Sequence, residues 1–235
     1  MRNLLSNCIV PFSDKEETYV LVYGPAVVNT IAINTNFVNP GEIKGYKDLL
    51  KPKWQGKIVM YDPTVNGTGF DWFRAAAPTV GLDFHRQLVK QEPMVYRDKR
   101  LPIEWLTRGK YGIALAISEE VFGEFRKNGA PIEWVPPAEG LFLSGTGCLA
   151  YLDKAPHPNA SKVFVNWLMT KEGLTTWSKS TFMSTARKDV PQDFLEPESR
   201  RDPNKQYIDI NAGDAYLKLE EHKKQAKEIY GPLLK

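Results

Sequence analysis

Cysteine and histidine are scarce in this chain, with two Cys and three His in 235 residues. Cys8 and Cys148 stand far apart, and neither has a CxxC partner or a histidine-rich neighbourhood, so zinc-site and thioredoxin-like chemistry lack their ligands. Two separate thiols are expected, with a Cys8–Cys148 disulfide as the alternative. His85, His157 and His222 are dispersed among polar residues and are expected at the surface, since an isolated histidine is not a catalytic constellation. No apolar run approaches the roughly 18 residues of a membrane span. The first residues hold only scattered apolar side chains before Ser13, Asp14, Lys15, Glu16 and Glu17, which is not a secretory leader pattern. Charge of either sign is not in excess: 31 Lys and Arg against 28 Asp and Glu leave +3, with no basic block, so no nucleic-acid partner is implied. Repeats, low-complexity tracts and the GxSxG, GxxxxGK[ST] and HExxH signatures are all missing.

What is present is an ordinary globular composition, 42% apolar and 25% charged, in a length of about one and a half domains at ~150 residues each. Residues 19–33 (YVLVYGPAVVNTIAI) are rich in β-branched residues and interrupted at Gly24-Pro25, which predicts two strands or one bent strand. From Pro52 to about residue 140 strands and helices alternate: KIVMY, then FDWFRAAA, a helix from Leu82 to Lys90, Met94 to Tyr96, IEWLTRG, YGIALAI, a helix begun by Ser118 and PIEWV. That alternation predicts an α/β lobe with a mostly parallel sheet. GLFLSGTGCLAYL then reads as a strand, and Asn159 to Thr170 as a helix with Val163, Phe164, Trp167 and Leu168 on its inner face. Gly213 to Tyr230 carries an apolar stripe and needs something to pack against. The tryptophans are expected in the core.

The most specific local feature is Asn66-Gly67-Thr68-Gly69, between a buried strand and a helix. Its glycines allow close backbone approach, and the free N–H groups of the helix start, with the Thr68 hydroxyl, suit an oxyanion. A turn that merely caps the helix is the alternative. Arg97 and Arg100 follow a short strand and are placed either at the same crevice or on the solvated surface. Glu119, at the end of the next strand, either meets a cationic ligand group or a metal, or complements its helix dipole.

These residues also carry a resemblance. The run AINTNFVNPGEIKGYKDLLKPKWQGKIVMYDPTVNGTGF and the later APHPNASKVFVNWLMTKEG resemble the extracellular solute-binding proteins of ABC importers, in the group of ferric-ion, phosphonate and thiamine-type binders. The likeness covers about residues 10–190. It implies an α/β, periplasmic-binding-protein-like fold with two crossover strands, one complete lobe and an incomplete second one. Residues 1–35 would be a first-lobe remnant with the crossover strands, 36–140 the second α/β lobe, and 141–235 the return crossover and the C-terminal helices of the first lobe. It further implies a periplasmic or extracellular location, a small solute and a membrane permease as partners, and self-association through surface that a fuller first lobe would cover. Asn66, Gly67, Thr68 and Gly69 would form the anion-holding turn, Asn66 standing where the family usually has serine, and Tyr23 would lie by the hinge facing the ligand. The family's iron-ligating tyrosine pair falls on Ser118-Glu119-Glu120, so ferric ion is a transported ligand at most and no resident cofactor is expected. A cytosolic effector-sensing domain of the same fold, an enzyme on a related fold and a fragment without function remain alternatives.

Overall fold

The computed structural model describes residues 20–202, 204–205, 207–210 and 213–234. Cys8, and with it the disulfide alternative, lies outside them. The strands are β1 (Val20–Val28), β2 (Ile31–Asn34), β3 (Ile58–Tyr61), β4 (Met94–Tyr96), β5 (Ile113–Leu115), β6 (Ile132–Trp134), β7 (Phe142–Ala150) and β8 (Ile208–Asp209). The α-helices are α1 (Thr68–Val80), α2 (Leu82–Val89), α3 (Leu101–Thr107), α4 (Glu119–Lys127), α5 (Pro158–Leu168), α6 (Lys171–Thr181) and α7 (Leu219–Tyr230). The two strands expected over 19–33 are β1 and β2, but β1 runs on through Gly24 and Pro25 with only a register shift, and the chain breaks at Asn29–Thr30 instead.

Five strands form a mixed sheet in the order β4-β3-β5-β2-β6. β3 runs parallel to β4 and β5, as the strand–helix alternation predicts, and β2 enters antiparallel between β5 and β6. Both faces of this sheet are covered, which is why its strands read as unbroken apolar runs. The period of two then divides each strand between two cores. Ile31, Ile33, Ile58, Met60, Ile113 and Leu115 enter one core with Trp72 and Phe73 of α1. Ala32, Val59 and Ala114 enter the other with Ile103, Leu106 and Phe122.

The second sheet is β1-β7-β8, in which β1 and β7 pair antiparallel along their lengths. Their register breaks between Val22 and Gly24 and again between Gly24 and Ala26. At that break a Cβ on Gly147 would lie 2.5 Å from the Gly24 backbone, so the two strands approach there as only glycine allows. One end of the ladder, at Val28 and Phe142, joins the core of the five-stranded sheet. The other, at Leu21 and Leu149, packs with Val165 of α5 and with Met169 and Ala186. β1 and β7 thus bridge two bodies across a glycine-rich break.

Three expectations need correction. His85 is fully buried, because Phe84 and Leu88 turn the same face of α2 inward and Tyr230 of α7 supplies its partner, Oη to Nδ1 at 2.7 Å. The tail helix packs on α1 and α2, with Ala226, Ile229 and Tyr230 in the core of the five-stranded sheet, so the segment 141–235 is divided between the two bodies. Finally, the apolar face of α5 is outward except for Leu168: Val163 is 70% exposed, Phe164 53% and Trp167 42%. The tryptophan at that position is accordingly not a core residue, whereas Trp54, Trp72 and Trp134 are. Among the described residues no helix is long and apolar enough to cross a membrane.

Candidate functional site

The C-terminal ends of β3, β4 and β5 and the first turn of α1 meet at one edge of the five-stranded sheet, the place where open α/β sheets receive ligands. β3 leads directly into Asp62, which is fully buried. Its carboxylate accepts the Thr64 N–H at 2.7 Å and the Arg97 Nε–H at 2.8 Å, while its own N–H donates to the Tyr96 carbonyl at 3.0 Å. Arg97, just beyond β4, is thereby held at one nitrogen by a buried acid while 63% of its side chain stays exposed. Its fork is free to point at an anion. Arg100 is engaged elsewhere, with Glu104 and Glu124 at 3.1 Å each.

The Asn66–Gly69 turn lies beside this pair. Gly67 has φ +139°, a conformation that favours glycine, and a Cβ there would meet the Tyr61 ring at 3.2 Å. Gly69 packs directly on the strand: a Cβ would fall 2.5 Å from the Tyr61 carbonyl oxygen and 2.6 Å from that of Asp62. The Gly67 N-cap contributes no side-chain hydrogen bond, which leaves the first-turn N–H groups of α1 available to a ligand. Asn66 is exposed at the lip of the turn. The Thr68 hydroxyl, expected to face an oxyanion, donates instead to the Ala116 carbonyl at 2.5 Å. It fixes the turn against β5 and leaves the backbone N–H groups as the donors.

Ala116 is a residue that pattern reading misses. It is buried, has φ +54°, and donates its N–H to the Thr30 carbonyl at 2.8 Å. A non-glycine residue with positive φ is uncommon and costs of order 1 kcal/mol or more, so the surrounding structure must hold it. Tyr61 and Asp62 stand in the run that carries the resemblance, but nothing in the sequence assigned either a role in the site. The signals there were the end of an apolar run and the Asp62-Pro63 pair before a glycine turn.

The structure places two further expected site residues away from the open crevice. Glu119, in the first turn of α4, is buried, and its carboxylate accepts the Asn29 N–H at 2.7 Å, Asn29 Nδ2–H at 3.2 Å and the Ser199 hydroxyl at 3.2 Å. Burial pushes this acid up to about 7, against the opposing pull of those hydrogen bonds. Tyr23 sits on the far half of β1, half-buried with its ring edge-on to Trp177 at 5.3 Å, and burial raises its hydroxyl pKa. It belongs to the cluster with Leu149, Leu168 and Leu174. The turn, Arg97 and the end of β5 are therefore brought together, while Glu119 and Tyr23 serve other contacts. The assembled group offers one exposed guanidinium and a set of backbone donors, a chemistry suited to an oxyanion.

Comparison with known proteins bears on the family and the fold. The family model described as bacterial extracellular solute-binding protein matches residues 5–206. An uncharacterized protein of Haemophilus influenzae is 28% identical over 134 residues, which is 55% of this chain and 38% of that protein. The chain thus spans well under half the length of this curated relative. Among solved structures, the periplasmic binding protein AfuA of Actinobacillus pleuropneumoniae, with fructose-6-phosphate bound, superposes with a TM-score of 0.75 at 22% identity, over 96% of this chain and 74% of that one. The ferric binding protein of Campylobacter jejuni superposes with a TM-score of 0.73 at 16% identity, over 100% of this chain and 76% of that one. At such identities the likeness establishes the fold, that of the type II periplasmic binding proteins.

Proposed function

Since the chain belongs to the family of bacterial extracellular solute-binding proteins, whose members bind rather than catalyse, we propose that it is the solute-receiving component of an ABC importer and takes a small oxyanion-bearing solute. The observation that carries this reading is the pairing of Arg97, held by buried Asp62, with the uncapped first turn of α1. A phosphoryl or carboxylate group seated there would accept from the N–H groups of Thr68 and Gly69 and from the Arg97 guanidinium. Asn66 at the lip would supply a further polar contact. Glu119 and Tyr23 act on this reading through the hinge and the packing of β1, without touching solute. Its partner would be a membrane permease, and its place of action outside the cytoplasmic membrane. Fructose-6-phosphate, the ligand of AfuA, is a member of this chemical class and a sensible first probe.

The test is a melting-temperature panel on the wild type, Thr68→Val and Arg97→Ala, with fructose-6-phosphate, fructose, inorganic phosphate and ferric citrate. A ligand at 100 times its dissociation constant stabilises by about 2.7 kcal/mol, which is readily seen. Stabilisation by an anionic member, and at least a tenfold loss of affinity in each variant, is expected. Affinity unchanged in both variants would remove the site from this turn.

A further inference from the structure

Among the described residues three connections join the two sheets and the bodies built on them: Asn29–Thr30 between β1 and β2, residues 135–141 between β6 and β7, and the long return from α6 to α7 that contains Ser199. One side chain of the five-stranded body is bonded to two of them. Glu119 Oε1 accepts from the backbone and side-chain amides of Asn29, and Oε2 accepts from Ser199, whose hydroxyl also receives Asn29 Nδ2–H at 3.3 Å. The same short segment, 116–119, holds the third element of the arrangement. Ala116 takes the Thr68 hydroxyl on its carbonyl and donates its N–H to Thr30. The turn proposed to hold solute and the peptide on which the bodies would pivot are thus fastened to one four-residue piece of chain. Hinges are a few element-terminal residues that absorb the change in φ and ψ, and Asn29–Thr30 occupies such a position.

We propose that Glu119 is a positioning residue, a latch that fixes the Asn29–Thr30 crossover and the Ser199 return against the solute-holding body and sets how freely the hinge opens. The identification of the hinge rests on the solute-binding reading above, but the latch itself does not require the solute to be known. Its consequence is a dependence on pH. The groups facing the carboxyl are neutral on the crossover side (Asn29) and on the return (Ser199), and the charge that bears on it is Glu198, which raises it further. Glu120 adjoins it on α4; of the two cations in that helix's last turn, Arg126 and Lys127, Arg126 is directed to Glu133 and Glu196 at 3.7 and 4.0 Å. Latched, the acid titrates at about 7; hydrated in an opened hinge it returns toward 4.5. The latched form consequently binds more protons than the opened one, so acid holds the latch and a rise in pH through this window releases it.

The experiment is hydrogen exchange followed by mass spectrometry on the solute-free chain between pH 5 and 8, corrected for the intrinsic exchange rate, reading a peptide that spans 20–34 against one spanning β3. In the wild type the opening constant of the crossover peptide should rise by up to about tenfold per pH unit and level off above pH 7. In Glu119→Gln the profile should be flat, with the β3 peptide unaffected. A wild-type profile that is itself flat, or a glutamine variant that retains the slope, would overturn the proposal. Should the glutamine variant not fold, Ser199→Ala decides. Loss of one hydrogen bond to the carboxylate must move the levelling-off to higher pH, and an unmoved profile refutes the latch. Failure of solute to bind in the panel above, with this profile intact, would refute the solute reading alone.

Discussion

Asp62 and Gly69 show how single residues set this site. Asp62 is a buried acid whose two oxygens are taken by Thr64 and Arg97, so it stiffens the turn and aims the guanidinium at once. Gly69 is required by space alone, since any side chain would strike the backbone carbonyls of Tyr61, the last residue of β3, and of Asp62, which follows it. Gly69→Ala should therefore destabilise the fold by about 1–3 kcal/mol in urea denaturation, the usual cost of overpacking, and loosen solute as well. A variant as stable as the wild type would show that α1 can retreat from β3. The sequence made the glycines conspicuous but could not say which faced a ligand and which faced the strand. Nor could it place Glu119, whose partners Asn29 and Ser199 are 90 and 80 residues away.

Among the elements, what the sequence made legible was periodicity, and what it hid was the partner of each apolar face. The runs at 58–61 and 113–115 announced buried strands because both faces of the sheet are covered, and the structure has them there. The stripe on α7 was equally clear, yet nothing local told that its Tyr230 would meet His85, 145 residues away. The same limit acts in reverse on α5, whose apolar stripe exists as expected but faces outward at Val163, Phe164 and Trp167. The α7 docking has its own test. Tyr230→Phe strips the partner from His85 Nδ1, whose Nε2 already has none, and should cost about 1–3 kcal/mol in chemical denaturation. A loss near zero would mean that α7 is held by apolar contact alone.

For the whole molecule, two buried titrations pull stability in opposite directions. Burial takes His85 down from 6.5 to about 3, so it folds neutral, and the stability this leaves intact above pH 6.5 is lost as pH falls toward 3. Glu119, raised from 4.5 to about 7, folds protonated, and its contribution fades as pH rises from 4.5 to 7. Melting temperature should consequently peak in mildly acid solution. The gain of Glu119→Gln over the wild type should grow from pH 5 to pH 7.5, and a constant difference would contradict the buried acid. In such a molecule β1 and β7 bridge two bodies through a ladder whose register breaks at Gly24 and Gly147, and the turn proposed to hold solute lies on the five-stranded body. The measurement that bears most directly on the central claim is amide chemical-shift mapping of the labelled protein during titration with fructose-6-phosphate. The account predicts saturable shifts concentrated at Thr68, Gly69 and Phe70 and at Arg97. Saturable shifts centred elsewhere, for instance around Phe122 and Trp134, would contradict it.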